Sequence, residues 1–284
     1  MYNNAFSVGR VLTVEFEVGA NWNQAFMLRS DAHHDSKFCN REAEEEDLKE
    51  AKRRDALIID AGDLMDLMQG RYDPRRSYPE IRPEFLLGNY YDLVIDDTAK
   101  FYSPYAKNWL LMAKGNHENA VSKNADTDPN ERVVTILNRE TGSNIFRGKS
   151  GGWIRFMFKR GDVNHGSLTM RYHHSGGSNS EAQVTKGTIQ TNRQATVYPD
   201  ADLVLNGHTH TNYILGNPRA RLSSKGVPYQ DVQYFFRTPG YKWPGDWEED
   251  DKGMQPKAHG CIWVDMTWDS KLDRPKILPT LDIR

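Results

Sequence analysis

The sequence predicts an α/β protein, and three observations predict it. Short apolar runs of strand length alternate with helix-length stretches over the first half of the chain. Beyond Gly152 the texture changes to closely spaced strand-like runs, so helices cluster early and strands late. Five of the apolar runs end at once in polar clusters, as strands do whose carboxyl ends open on a crevice.

The elements follow in order. Val11 to Val18 reads as a strand, broken by Gly19 before a second run, Gln24 to Leu28. Arg41 to Arg54 reads as a surface helix, acidic at its start and basic at its end, as the macrodipole favours. Ala56 to Ile59 is a short buried strand, which completes a strand–helix–strand unit. Gln69 to Pro83 carries three prolines and is a loop, whereas Asn89 to Tyr102 has apolar positions at helical spacing. A further helix starts at Asp128, with Pro129 in its first turn and Glu131 placed for a capping box; Gly142 stops it. Trp153 to Lys159, Ser167 to Tyr172, Asp202 to Leu205, Val232 to Arg237 and Cys261 to Trp268 read as strands. Glu248 to Asp251 is a solvated acidic loop. No internal repeat or low-complexity segment interrupts the chain.

Composition bounds the function. The 284 residues hold 37 Lys and Arg against 39 Asp and Glu, a net charge of -2, which excludes a global polycation that coats nucleic acid or lipid but leaves room for a local basic patch. No apolar run approaches the roughly 18 residues of a membrane span, and the first residues lack the pattern of a secretory signal. Cys39 and Cys261 are too few for a disulfide framework or a thiolate zinc site. The expectation is a soluble protein of a reducing, cytoplasmic compartment. It is read as one domain over 1–284, with 213–284 as a strand-rich C-terminal portion.

The histidines say more. Phe26 to Leu28 leads into Asp31, His33, His34 and Asp35. Leu57 to Ile59 leads into Asp60 and Asp63, and Trp109 to Met112 leads into Asn116, His117 and Glu118. Leu168 to Tyr172 leads into His173 and His174, and Leu203 to Leu205 leads into His208 and His210. Seven of the nine histidines lie in these clusters, which chance placement would rarely give. Five strand ends can converge on one spot, and such a concentration of imidazole and carboxylate reads as metal-ligating. The donors suit borderline first-row ions such as Mn, Fe, Zn or Ni. His34 and Asp35 read as supporting or loop-capping groups, Asp60 as a strand end or a ligand's partner, and His165 and His259 as structural.

In this order the motifs resemble those of the calcineurin-like metallophosphoesterase superfamily. They stand here as Asp31 with His33, Gly62-Asp63 with Asp66, Gly115 to Glu118, His174 or His173 after a strand, and Gly207-His208 with His210. The resemblance covers about residues 25 to 212. It implies a four-layer α-β-β-α sandwich of two mixed sheets flanked by helices, the late strands supplying much of the second sheet and the site at one edge. It implies a two-metal centre in which Asp31, His33, Asp63 and His210 hold one divalent ion. Asp63 would bridge to a second, held with Asn116, His174 and His208, with His173 as the alternative to His174. Two such ions, less two carboxylates and a hydroxide, leave a positive surplus for a phosphoryl group. His117 would protonate the leaving oxygen, and Asp66 would orient His117, although Leu67 stands where branches with that pair carry Arg.

The implied reaction is hydrolysis of a phosphate ester, with a phosphodiester of nucleic acid or nucleotide as the first expectation. A phosphomonoesterase, protein phosphatases included, is the second, and a non-catalytic scaffold of the same fold the third. Arg71, Arg75, Arg76 and Arg82, interleaved with Tyr72 and Tyr78, have the make-up to grip phosphates and stack bases, or to form a solvated Pro-rich loop. Ser175 to Ala195, rich in small polar residues, follows a ligand and is placed to shape the pocket.

Overall fold

The structure is a computed structural model that describes residues 2–68, 81–86, 88–174, 188–223, 226–243 and 257–284. The chain opens with a hairpin, β1 (Asn4–Val8) and β2 (Val11–Glu17), followed by β3 (Asn23–Arg29), α1 (Arg41–Arg53) and β4 (Leu57–Asp60). Then come α2 (Tyr90–Tyr102), a 3-10 stretch (Ser103–Asn108), β5 (Trp109–Met112), α3 (Asn116–Asn124), α4 (Pro129–Thr141) and β6 (Phe146–Arg147). The second half holds β7 (Gly151–Arg160), β8 (Val163–His173), α5 (Thr188–Val197) and β9 (Leu203–Asn206). It ends with β10 (Tyr213–Leu222), β11 (Pro228–Arg237), β12 (Gly260–Asp269) and β13 (Arg274–Ile283).

Among the described residues the strands form two mixed sheets, ordered β1-β2-β7-β8-β9-β11-β10 and β13-β12-β3-β4-β5-β6. Strand alternation explains how they stack. In β3, Phe26 and Leu28 point into a core that also takes Phe16, Phe156, Phe158, Leu205 and Val264, so this apolar layer lies between the sheets. Ala25 and Met27, on the opposite face of β3, pack with Leu48 of α1, Val94 of α2 and Val133 of α4. The far face of the other sheet is covered more thinly, by Ala195 of α5 against Val204 and Phe235. Because both faces of the short central strands are covered, Leu57 to Asp60 and Trp109 to Met112 are buried throughout. The late strands divide between the sheets: β10 and β11 join the seven-stranded one as expected, whereas β12 and β13 extend the six-stranded one beside β3.

Local chemistry sets the helices. Asp128 accepts from the Glu131 amide and Gly142 ends α4 at φ 63°, so the cap and the stop are as read. The Glu131 carboxylate pairs with Arg147 and so leaves the capping box half made. Two helices carried no readable signal. In α3 the first turn consists of site residues, with only Glu118 and Val121 buried. In α5 the inward contact is partly polar: beside Ala195, Gln194 exchanges two hydrogen bonds, 3.0 and 3.1 Å, with Asn206 at the end of β9. No helix of the described residues is long and apolar enough to cross a membrane. Cys39 and Cys261 are both buried and unpaired.

One charge inside the core was not foreseen. Arg29, the last residue of β3, is fully buried; its Nη2 lies 2.7 Å from Glu44 of α1 and its Nε 3.0 Å from Asp60 at the end of β4. Its guanidinium also stands over the rings of Tyr102, Trp109 and Tyr241. The network fixes the ends of β3 and β4, from which Asp31 and Asp63 depart. Arg29→Met is expected to cost about 3–5 kcal/mol, because Glu44 and Asp60 would stay buried without their cation; urea denaturation of the variant measures it.

Candidate metal centre

The carboxyl ends of β3, β4, β5, β8 and β9 deliver their polar clusters to one place. The Asp31 carboxylate is completely buried. One oxygen accepts from the Ser30 hydroxyl and the His208 amide (2.8 Å), which fixes its orientation. The other, Oδ1, has no hydrogen-bond partner among the described residues and faces His210 Nε2 at 3.4 Å, with His33 Nε2 and His174 Nε2 each at 4.0 Å. A buried carboxylate oxygen left without a donor is costly unless a cation completes it.

His33 is arranged to complement it. Its Nδ1 lies 2.8 Å from Asp66 Oδ1, which fixes the tautomer and leaves Nε2 pointing inward, 3.2 Å from His210 Nε2. Burial holds the His33 pKa down to about 4, so at neutral pH the ring presents a lone pair rather than a proton. Asp63 is the hub. Its Oδ1 accepts from the His117 amide at 2.9 Å, while Oδ2 faces His174 Nε2 at 2.9 Å and His117 Nε2 at 3.8 Å. His174 directs Nδ1 at the Ala61 carbonyl (3.1 Å) and Nε2 at both Asp63 and the Asn116 side-chain oxygen (3.0 Å).

Three overlapping donor groups result: Asp31, His33 and His210; Asp63, His174 and His208; and His33, Asp63 and His117. Within each, the ligand atoms lie within 4.8 Å of one another, close enough to share one cation. The structure therefore brings together Asp31, His33, Asp63, Asn116, His174, His208 and His210. His173, next to His174 on an extended backbone, faces a different cavity.

The backbone is shaped for this convergence. Asp31, His33, Asp63, His208 and His210 account for five of the nine non-glycine residues at positive φ among the described residues. Left-handed backbone is uncommon outside glycine and collects at functional sites, where the surroundings hold it. Gly62, at φ 113°, lets the β4 loop press against Gly115, and a side chain at Gly115 would overlap the Asp63 carboxylate.

Supporting groups lie underneath. Asp35 accepts from the amides of Asp66 (2.5 Å) and Leu67 (3.0 Å) and from the Tyr90 hydroxyl (2.5 Å), so it holds the loop after Asp63. Glu118 ties that loop to the start of α3 through the amides of Met65 and Gly115; burial and the Asp63 charge push its carboxyl up to about 7. His34 sits between Glu44 and Asp97, His165 beside Asp273, and His259 against Trp243, and none of the three belongs to the donor groups of the centre.

Asp66 differs from expectation. Its carboxylate serves His33 and Lys242 Nζ (3.0 Å), and lies 3.7 Å from His117 Nδ1. The His117 ring is held instead by the Asp66 backbone carbonyl, 2.5 Å from Nδ1. Carbonyl and carboxylate of Asp66 thus face different rings, next to Leu67 at a positive φ of 51°.

The sequence model of calcineurin-like phosphoesterases matches residues 26–212. The chain belongs to that family. Its members' chemistry is metal-dependent hydrolysis of phosphate esters, and all three donor groups lie within the matched span. No curated protein matches the chain.

The segment after β11 lies outside the matched residues, and its part in closing the phosphoesterase site was missed in the sequence. Thr238 Oγ1 lies 2.6 Å from Ser30 Oγ, the Tyr241 amide donates to the Asp31 carbonyl at 2.9 Å, and Lys242 reaches Asp66. The available signal was positional: Arg237 ends a strand, and a Thr-Pro-Gly turn comes directly after it. Of the Arg and Tyr loop, Ile81 and Arg82 are described, and Arg82 is engaged by Glu84 at 2.7 Å; Arg71, Tyr72, Arg75, Arg76 and Tyr78 lie outside the described residues. So do 175–187 of the small-polar segment and the acidic loop at 248–251.

Proposed function

We propose that the chain is a dinuclear metal-dependent phosphodiesterase acting on nucleic acid or nucleotides. The observation that carries this reading is the sharing of Asp63 between donor groups on either side of it, with a separate group at Asp31. Asp31, His33, Asp63 and His210 would hold one divalent ion, of the Mn, Fe, Zn or Ni class, and Asp63, Asn116, His174 and His208 a second. The orphaned Asp31 Oδ1, the inward-facing His33 Nε2 and the absence of thiolate from these donor groups fit such ions. When bound, a pair of ions supplies Lewis acidity and an acidified water.

The chain's own residues do the rest. Ser30 and the His208 amide keep Asp31 Oδ1 aimed inward, and Asp66 keeps His33 in the right tautomer. His117, with Nδ1 engaged by the Asp66 carbonyl, turns Nε2 toward Asp63 and is placed to hand a proton to the leaving oxygen. A diester is favoured over a monoester because a cationic hollow shares its walls with the centre and suits a further phosphate of a strand, a group that a small bis-ester lacks.

Turnover of bis-p-nitrophenyl phosphate and of p-nitrophenyl phosphate, compared under Mn, Fe, Zn and Ni, tests this. The bis-ester is expected to have the larger kcat/KM by about tenfold, equivalent to about 1.4 kcal/mol of transition-state discrimination. Preference for the monoester would assign a phosphomonoesterase, and inactivity on both under every metal would leave a scaffold.

A further inference from the structure

One wall away from the metal centre is a cavity of about 370 Å3. Arg10, Lys114, Arg147, Lys149 and Arg171 line it, against the single carboxylate of Asp128. In a chain of net charge -2 this density of cations does not follow from composition; it is a local field of the sign that attracts anions.

Some of these charges are already engaged. Lys114 lies 2.6 Å from Asp128, and Arg147 pairs with Glu131. Arg10 and Lys149 are exposed and make no ion pair among the described residues. The Arg171 guanidinium is held by neutral groups: Nη1 donates to the carbonyls of Gly152 (2.7 Å) and Tyr172 (2.8 Å), and the group stands over the rings of Trp153 and Tyr198. Among the described residues its Nε is buried without an acceptor, and His173 Nδ1 is likewise buried without a partner. One held cation, Arg171, and two exposed ones without counter-charges among the described residues, next to unmatched polar atoms, form a receptor for an anion.

The cavity also stands in a fixed relation to the centre. His173 and His174 are consecutive at the end of β8 and project to opposite sides, His174 toward Asp63 and His173 into the cavity. Asn116 and Asn119 are one turn apart on α3; the first meets His174, and the second lines the cavity and bonds Ser150. The same two elements thus wall both sites.

We propose that this hollow binds a phosphate neighbouring the scissile one, so that the substrate is a nucleic-acid strand rather than an isolated phosphate ester. The proposal rests on the phosphodiesterase reading. It makes Arg10, Lys149 and Arg171 backbone-phosphate contacts, which hold a strand in place without reading its bases.

The test uses the metal-loaded full chain and a double variant, Arg10→Gln with Lys149→Gln, whose exposed positions leave the fold intact. Both proteins are assayed on bis-p-nitrophenyl phosphate and on a short oligothymidylate over a range of salt. The variant is expected to keep its bis-ester kcat/KM within about twofold while its KM for the oligonucleotide rises about tenfold. The salt dependence of log KM should flatten by about 0.7, the value for one lost single-strand phosphate contact. An unchanged oligonucleotide KM and salt slope would overturn the proposal, as would a wild-type protein that cleaves the bis-ester but not the oligonucleotide. A wild-type protein inactive on the bis-ester would instead overturn the underlying reading.

Discussion

Asp63→Ala is expected to yield a protein that retains neither divalent ion and loses activity by about a thousandfold or more. In the proposed centre the carboxylate is the one side chain assigned to both ions; it belongs to the group with His174 and His208 and to the group with His33 and His117, so its removal takes a ligand from each. The magnitude follows from the several kcal/mol that bound metal contributes to phosphoryl transition states, at about 1.36 kcal/mol per factor of ten. Two structural roles of Asp63 must be separated from this. It accepts the His117 amide, and although burial opposes a charged His174, the Asp63 charge prevails and lifts that pKa to about 10. Asp63→Asn keeps an acceptor for the amide while removing the charge, so it should fold like the parent and still bind little metal. Elemental analysis of the two purified variants decides, with thermal denaturation to report the fold; full metal content in either would remove Asp63 from its bridging place. The raised His174 pKa adds a signature in the parent protein. A cation arriving at Asp63, His174 and His208 displaces a proton, so its affinity should increase as pH rises toward about 10.

How much of this was legible in the sequence depends on where each residue's signal lies. Asp31, Asp63, Asn116 and His208 could be read because short strands buried on both faces leave an apolar run that stops where the chain leaves the sheet. Any cluster of Asp and His there stands out. The helices α1, α2 and α4 declared themselves by charge, spacing or caps. The choice between His173 and His174 could not be read, because alternation says only that neighbours face opposite ways. It takes the parallel register of β8 on β9, with His173 opposite Asn206, to orient the pair. Arg29 was invisible for a different reason: a lone cation ending an apolar strand looks solvated until Glu44, Asp60 and three aromatic rings close around it. Thr238 and Lys242 come from a strand end without His or Asp, so the rule that exposed the other clusters passed over it. The orientation of His117 by the carbonyl of Asp66 rather than its carboxylate goes with the engagement of that carboxylate by His33 and Lys242, which residue type does not signal.

His117→Ala should behave in the opposite way to Asp63→Ala, keeping its metal and losing turnover. His117 belongs to a donor group with His33 and Asp63, so geometry alone also permits a third ligand role, and the variant separates the two. Each main donor triad is complete without it, and the Asp63 contact it makes through the backbone amide survives truncation at the side chain. The ring's Nδ1 is spent on the Asp66 carbonyl, which leaves Nε2 as the atom that can exchange a proton with substrate. General-acid assistance contributes about 10²–10⁴-fold, so kcat on an ester with a poor alkoxide leaving group should fall within that range. An ester with p-nitrophenolate as leaving group needs little protonation and should lose much less. That contrast distinguishes proton donation from simple ligation or packing, either of which would depress both substrates alike. Loss of metal from His117→Ala would convert the residue to a ligand, and full activity on the alkyl ester would remove it from the chemistry.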